Sequence, residues 1–241
     1  MKDKPVILNF QRFCFIIRLK LYAERSLFMW EAMIFDLDGT LLNTLSDLEN
    51  AINHTLKNYG YPERTTEEVR KFVGNGLTML ARRALPVILS DSDFDEFCRE
   101  FVDFYHNHAC EKTLPYPGVC DTIKRLYERN VKIAVVTNKA EDVSKNLIKT
   151  FFGDYIHVVV GAADGRQKKP DPAGVNEALQ LLNVTDKSKV LYIGDSDVDA
   201  YTAENAGLKY ALCLWGFRTE EQLQKFSPVK FLNEFDELLK L

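Results

Sequence analysis

Apolar positions follow two patterns along the chain. Five short runs are almost continuously apolar: AMIFD (32–36), VKIAVVT (131–137), IHVVV (156–160), KVLYIGD (189–195) and KYALCL (209–214). Runs of this length, rich in Val and Ile, read as strands buried on both faces of a parallel sheet. Between the later runs the apolar spacing changes to that of an amphipathic helix, in DTIKRLYERN (121–130), EDVSKNLIKTFF (141–152), PAGVNEALQLL (172–182) and VDAYTAENAG (198–207). Alternating strands and helices predict an α/β fold with a doubly wound, mostly parallel sheet.

The alternation breaks once. No strand-like run stands out between the first strand and the second. Helical patterns fill the gap: 46–60, 65–74, 77–85 and 91–112. Thr65 with Glu68 three residues on is a capping-box pattern, which marks a helix start. The block reads as an inserted all-helical cap, and LPYPG (114–118) returns the chain to the core. The expected organisation is a core of 29–44 plus 114–241, a helical cap of 45–113, and a leader of 1–28 without function. Ligands of such sheets bind at the carboxyl ends of the strands, so the cap is expected to act as a lid over that end.

Composition narrows the class. The chain has 241 residues, 46% of them hydrophobic and 27% charged, with a formal net charge of −4. This is a globular composition. No basic stripe marks the main body, which argues against nucleic acid as a partner. The five cysteines are widely spaced and form no CxxC pair, so a disulfide framework and a zinc site are both unexpected and a reducing cytoplasm fits. His106 and His108 point in different directions on a helix and are not expected to share a metal. No run is long and apolar enough for a membrane span. Residues 1–28 are basic, but their apolar stretch FCFII is short and no cleavage site follows it. Met29 or Met33 would be a natural start just before the first strand.

Polar chemistry clusters after the strands. Asp36 and Asp38 follow the first, and Thr137, Asn138 and Lys139 the second. KKPDP (168–172) lies beyond the third, and GDSDVD (194–199) ends the fourth. In a parallel sheet these ends share one edge. Asp36, Asp38 and Asp195 offer only hard oxygen ligands, which suits Mg²⁺. Thr137 and Lys169 add a hydroxyl donor and a positive charge, which together with the metal suit a phosphoryl group. One carboxylate can attack phosphorus while the other moves a proton. Gly39 permits a tight turn whose backbone amides could face a phosphate. Each cluster alone has an ordinary explanation: a solvated acidic turn, a surface lysine, a helix entry at Pro172, or an N-cap at Ser196. Their occurrence in order after consecutive strands is what carries weight.

DLDGT, VVTNK, KKPDP and GDSDVD resemble, in that order, the four motifs of the haloacid dehalogenase-like phosphatases, over about residues 31–240. The resemblance implies Asp36 as a nucleophile that forms an aspartyl-phosphate. It implies Asp38 as the acid and base, lending its backbone carbonyl to Mg²⁺. Thr137 and Lys169 would hold phosphoryl oxygens, Asp195 would ligate the metal, and Asp199 would orient Lys169 or metal-bound water. Gly39, Thr40 and Asn138 are further substrate-binding candidates. VRKFVGNGLTMLARRALP (69–86), TAENAGL (202–208) and LWGFRTEEQL (214–223) are similar to the phosphoglycolate phosphatases within that family. Gly74, Asn75 and Gly76 would then face the substrate from the cap; they also fit a plain helix stop. Asn43 stands where many relatives carry an acidic residue, and the motif lysine is assigned to Lys169 rather than Lys168 because Pro170 follows it.

The expected reaction is hydrolysis of a small phosphorylated metabolite, 2-phosphoglycolate first. A sugar phosphate, a nucleotide or pyrophosphate remains open as substrate, and a phosphomutase is a further alternative. A receiver-type signalling domain would carry its phosphoacceptor on a middle strand and its lysine last. A DxD sugar-nucleotide binder would not require the threonine, the lysine or the GDxxxD stretch.

Overall fold

The computed structural model describes residues 29–74 and 76–241; the leader assigned to 1–28 and the candidate Asn75 lie outside the described residues. The chain opens with β1 (Ala32–Phe35), the two-residue β2 (Leu42–Asn43), and the helices α1 (Leu45–Asn58), α2 (Thr66–Phe72), α3 (Leu77–Ala84) and α4 (Asp91–His108). It continues through β3 (Leu114–Pro115), α5 (Val119–Glu128), β4 (Lys132–Ala140), α6 (Glu141–Phe152) and β5 (Val158–Ala162). It goes on with α7 (Ala173–Leu181), β6 (Val190–Gly194), α8 (Asp197–Ala206), β7 (Lys209–Cys213), α9 (Glu220–Leu223) and β8 (Lys230–Leu232), and closes on a 3-10 turn at Phe235–Lys240.

The main sheet has strand order β5-β4-β1-β6-β7-β8, and every pairing in it is parallel. Side chains alternate across it as a period of two requires. Met33 and Phe35 face one layer with Ile123, Leu147 and Phe235. Ala32 and Ile34 face the other with Val175, Ala178 and Ala203. β1 lies in the middle of the sheet, so Asp36, the residue after it, emerges at the centre of the carboxyl edge.

The four helices α1–α4 bury a third apolar cluster, including Leu48, Ile52, Phe97, Phe101 and Tyr105, to which Phe217 from the loop after β7 also belongs. On α1 the buried Leu45, Leu48, Ile52 and Leu56 recur at the spacing of one helix face. Thr65 and Glu68 form the full reciprocal capping box at the start of α2. The insertion leaves and rejoins the core through a two-stranded antiparallel ribbon, with Leu42 opposite Pro115 and Asn43 opposite Leu114. Asp47, buried on α1, pins the return by accepting from the amides of Lys112 and Thr113 and from the Thr113 hydroxyl. No described helix is long and apolar enough to cross a membrane.

Several boundaries differ from the sequence expectation. The second long strand runs on to Ala140, with a register shift between Val136 and Ala140, so Thr137–Lys139 lie on an irregular strand end rather than in a loop beyond it. The third begins at Val158, not Ile156. The His157 amide donates to the Ile133 carbonyl and its Nδ1 accepts from the Ile133 amide, so an imidazole stands in for ladder pairing there. The ribbon and β8 are too short for apolar periodicity to reveal.

Candidate active site

Asp36 leaves β1 with its amide bonded to the Ile193 carbonyl of β6 (2.9 Å). Its carboxylate meets Lys169 Nζ at 2.7 Å, and the same ammonium lies 2.7 Å from Asp199 Oδ1. Tyr192 completes the pocket around that lysine: its hydroxyl accepts from Lys169 Nζ (3.2 Å) and donates to Asp199 (3.1 Å). The Lys169 side chain is only 6% exposed. Burial opposes its charge, but the carboxylates of Asp199 and Asp36 more than offset this and hold its pKa well above the usual lysine value. Asn138 fixes the loop that delivers it: its side-chain oxygen accepts from the Lys169 amide and its Nδ2 donates to the Lys169 carbonyl. Asn138, expected on the substrate, thus holds the backbone of Lys169.

Asp199 caps α8. Its Oδ2 accepts from the amides of Asp195 and Ser196 and from the Ser196 hydroxyl, while Oδ1 faces Lys169 and Tyr192. Asp195 ends the GD pair after β6. It accepts from the Thr40 hydroxyl at 3.0 Å and from the Phe217 amide at 2.7 Å. Thr40, another substrate candidate, is therefore directed at Asp195. The Gly39 and Thr40 amides close the turn on the carbonyls of Leu42 and Leu37 instead of facing the cleft. What Gly39 needs is space and conformation. Its φ is +90°, and a Cβ there would lie 2.5 Å from Asp195 Oδ2.

Asp38 turns towards a different partner. Lys139 Nζ donates to its Oδ1 at 3.0 Å and also contacts the hydroxyl of Tyr105, a residue of α4. Lys139 is 5% exposed. Burial disfavours its charge, yet Asp38 and Tyr105 outweigh that and raise its pKa. Thr137 is buried; its Oγ1 accepts from the Lys139 amide (3.2 Å) and the side chain lines the cleft. Gly74 and Gly76 line the cleft from the helical side, both with positive φ.

Oxygens of Asp36, Asp195 and Asp199 lie within 4.8 Å of one another. The Asp38 carboxylate is not in that group. Burial, followed by the Asp199 charge, pushes Asp36 well above the usual carboxylate range and Asp195 up to about 7. Buried acids that repel each other this way fit a hard divalent cation, which would relieve both effects. Asp36 and Asp195 are the better donors, because the two oxygens of Asp199 already accept five hydrogen bonds, one of them from the Lys169 ammonium. Asp195 accepts one on each oxygen, and Asp36 meets Lys169 alone among the described residues.

The arrangement can therefore hold a phosphoryl group between a cation, Lys169 and Thr137, with carboxylates on either side. The sequence profile of the haloacid dehalogenase-like hydrolases matches residues 33–213. The chain belongs to that family. Among its haloacid dehalogenase-like relatives, phosphoglycolate phosphatase of Aquifex aeolicus is 33% identical over 215 residues, covering 87% of this chain and 95% of the relative. Phosphoglycolate phosphatase of Pseudomonas putida is 35% identical over 213 residues, covering 86% of this chain and 78% of the relative. A crystal structure from Lactobacillus delbrueckii subsp. bulgaricus, provisionally named a phosphoglycolate phosphatase, superposes with a TM-score of 0.82 at 29% identity, covering 88% of this chain and 97% of that one. This haloacid dehalogenase-like protein is a phosphatase.

Four contributors to the site were not assigned a role by sequence: Lys139, Tyr105, Tyr192 and Phe217. Lys139 is the last residue of the VVTNK motif, and its place there beside Thr137 and Asn138 was the available signal. The aromatics sit at core-like spacings; Tyr105 and Tyr192 reach the site through their hydroxyls, and Phe217 through its amide and as part of the cleft wall.

Proposed function

We propose that this phosphatase hydrolyses 2-phosphoglycolate to glycolate and phosphate through an aspartyl-phosphate on Asp36, with Mg²⁺ as cofactor. The observation that carries the reading is the buried Asp36 carboxylate, set at the central strand end against Lys169 and beside Asp195. The substrate comes from the names of the relatives.

In the first step an Asp36 oxygen attacks phosphorus and the bond from phosphorus to the glycolate oxygen breaks. Asp38 donates its proton to that leaving oxygen. In the second, the Asp38 carboxylate takes a proton from water, the water oxygen attacks phosphorus, and the bond to Asp36 breaks to release phosphate. Asp38 is then protonated again and Asp36 free. Lys169 and Thr137 hold the phosphoryl oxygens, and Asp199 keeps Lys169 aimed at Asp36. Asp36 and Asp195 would hold the Mg²⁺, which supplies charge neutralisation at the phosphoryl group when bound. Residues 29–44 and 114–241 form the catalytic core in this reading. Residues 45–113 form a cap that excludes bulk water from the acyl phosphate.

Asp36→Asn tests it. The change is isosteric, so the variant should fold, and hydrolysis of 2-phosphoglycolate should drop by roughly 10⁴-fold or more, as expected for loss of a covalent nucleophile. Radiolabel from the substrate should no longer appear on the protein. Substantial Mg²⁺-dependent turnover in a folded variant would falsify the nucleophile assignment.

A further inference from the structure

The chain after β7 is tied to the site at every step. Trp215 Nε1 donates to the Thr40 carbonyl (3.1 Å), and the Phe217 amide donates to Asp195. At Gly216 a Cβ would lie 2.2 Å from Asp195 Cβ, so this loop passes against the metal-side carboxylate as closely as backbone can. Arg218 comes next. It is therefore delivered to the cleft by a fixed backbone.

The guanidinium is gripped from both sides. Nε donates to Asp197 Oδ1 at 3.0 Å, and one terminal nitrogen donates to the Val73 carbonyl of the helical insertion at 3.1 Å. Gly74 makes room for it: a Cβ there would lie 2.7 Å from that nitrogen. Arg218 is 15% exposed and lines the same cleft as Asp36. Its other terminal nitrogen has no hydrogen bond within the described residues. The remaining cations of the cleft are engaged: Lys169 between Asp36 and Asp199, Lys139 between Asp38 and Tyr105.

The proposed substrate has a second anion, a carboxylate bonded directly to the ester carbon. Leu77, Leu80 and Phe217 give the cleft apolar walls, and a carboxylate desolvated there needs a charged partner. A guanidinium with donors to spare suits a carboxylate better than any neutral group present. We infer that Arg218 is the specificity-determining residue that recognises the carboxylate of small phosphate monoesters, held in place by Asp197 and by the Val73 carbonyl of the insertion. The inference rests on the phosphoglycolate reading and adds the residue that selects the acid.

The test compares kcat/KM for 2-phosphoglycolate and for ethyl phosphate, which has a methyl in place of the carboxylate. The wild type, Arg218→Met, Arg218→Lys and Asp197→Asn are measured in the full chain with Mg²⁺, and melting curves check folding. In Arg218→Met the preference for the carboxylate substrate should fall roughly 30-fold or more, mainly through KM, as for other desolvated charge pairs. Arg218→Lys keeps the charge beside Asp197 and should lose part of the preference, and Asp197→Asn should keep most of it. Equal losses on both substrates in Arg218→Met overturn the inference and leave the arginine as a clamp. So does an unchanged preference in Arg218→Lys should Arg218→Met fail to fold. A wild type with no preference for 2-phosphoglycolate removes the substrate reading itself, which is a distinct result.

Discussion

Two buried lysines share out the acids of the cleft: Lys169 sits on Asp36 and Asp199, and Lys139 on Asp38. Asp195 has no ammonium of its own and relies on a threonine hydroxyl and one backbone amide. Burial and the Asp199 charge raise it to about 7, so with no ammonium in contact it gains directly from a cation. A carboxyl whose folded pKa lies above its unfolded value near 3.9 stabilises the fold at low pH and loses that contribution as pH rises through the folded pKa. The metal-free protein should therefore melt at progressively lower temperature between about pH 4 and pH 7 on account of this group. Mg²⁺ should raise the melting temperature more at pH 8 than at pH 5, because protons and metal compete for the same oxygens. A Mg²⁺ increment independent of pH in calorimetry would contradict that picture.

At the scale of elements, glycines decide how closely the loops approach the acids. Gly39, Gly194 and Gly216 each stand where a Cβ would lie 2.5 Å or less from Asp195 or Asp199. Gly216→Ala should cost about 1–3 kcal/mol, the range for overpacking, and should weaken Mg²⁺ binding by displacing Asp195. Chemical denaturation and a Mg²⁺ titration would measure the two effects separately. The strand ends were legible in the sequence for a similar reason. An apolar run followed by GD or DLDG needs only local pattern to be seen, and parallel topology then gathers the ends at one edge. The extension of β4 to Ala140 was not legible, because its irregular pairing depends on β5, some twenty residues away in sequence. Tyr105 was hidden differently. Its ring satisfies the core of the insertion, and only its hydroxyl reveals that the insertion reaches into the site.

For the molecule as a whole, that hydroxyl and Arg218 are two places where the insertion grips the core near the cleft, one at Lys139 and one at Val73. Tyr105→Phe and Lys139→Met should each destabilise the fold. Their double-mutant cycle should return a coupling of about 1–2 kcal/mol, in the range for contacting residues. Strict additivity in urea denaturation would mean that the contact does not hold the insertion closed.

The β2–β3 ribbon has a consequence for how the chain reaches this structure. β1 must find β4 across about 100 residues, a separation that would slow folding if it had to be closed in one step. The ribbon clasps the insertion at Asn43 and Leu114, and the insertion owes most of its core to contacts among α1–α4. Once it has collapsed, the separation that remains between β1 and β4 is short. Loop-closure entropy grows only with the logarithm of length, by about 0.6 kcal/mol per doubling. The insertion can therefore be lengthened or shortened beyond the clasp with little effect on the assembly of the sheet, leaving the helical wall of the cleft free to vary while the strand ends that carry the acids stay fixed.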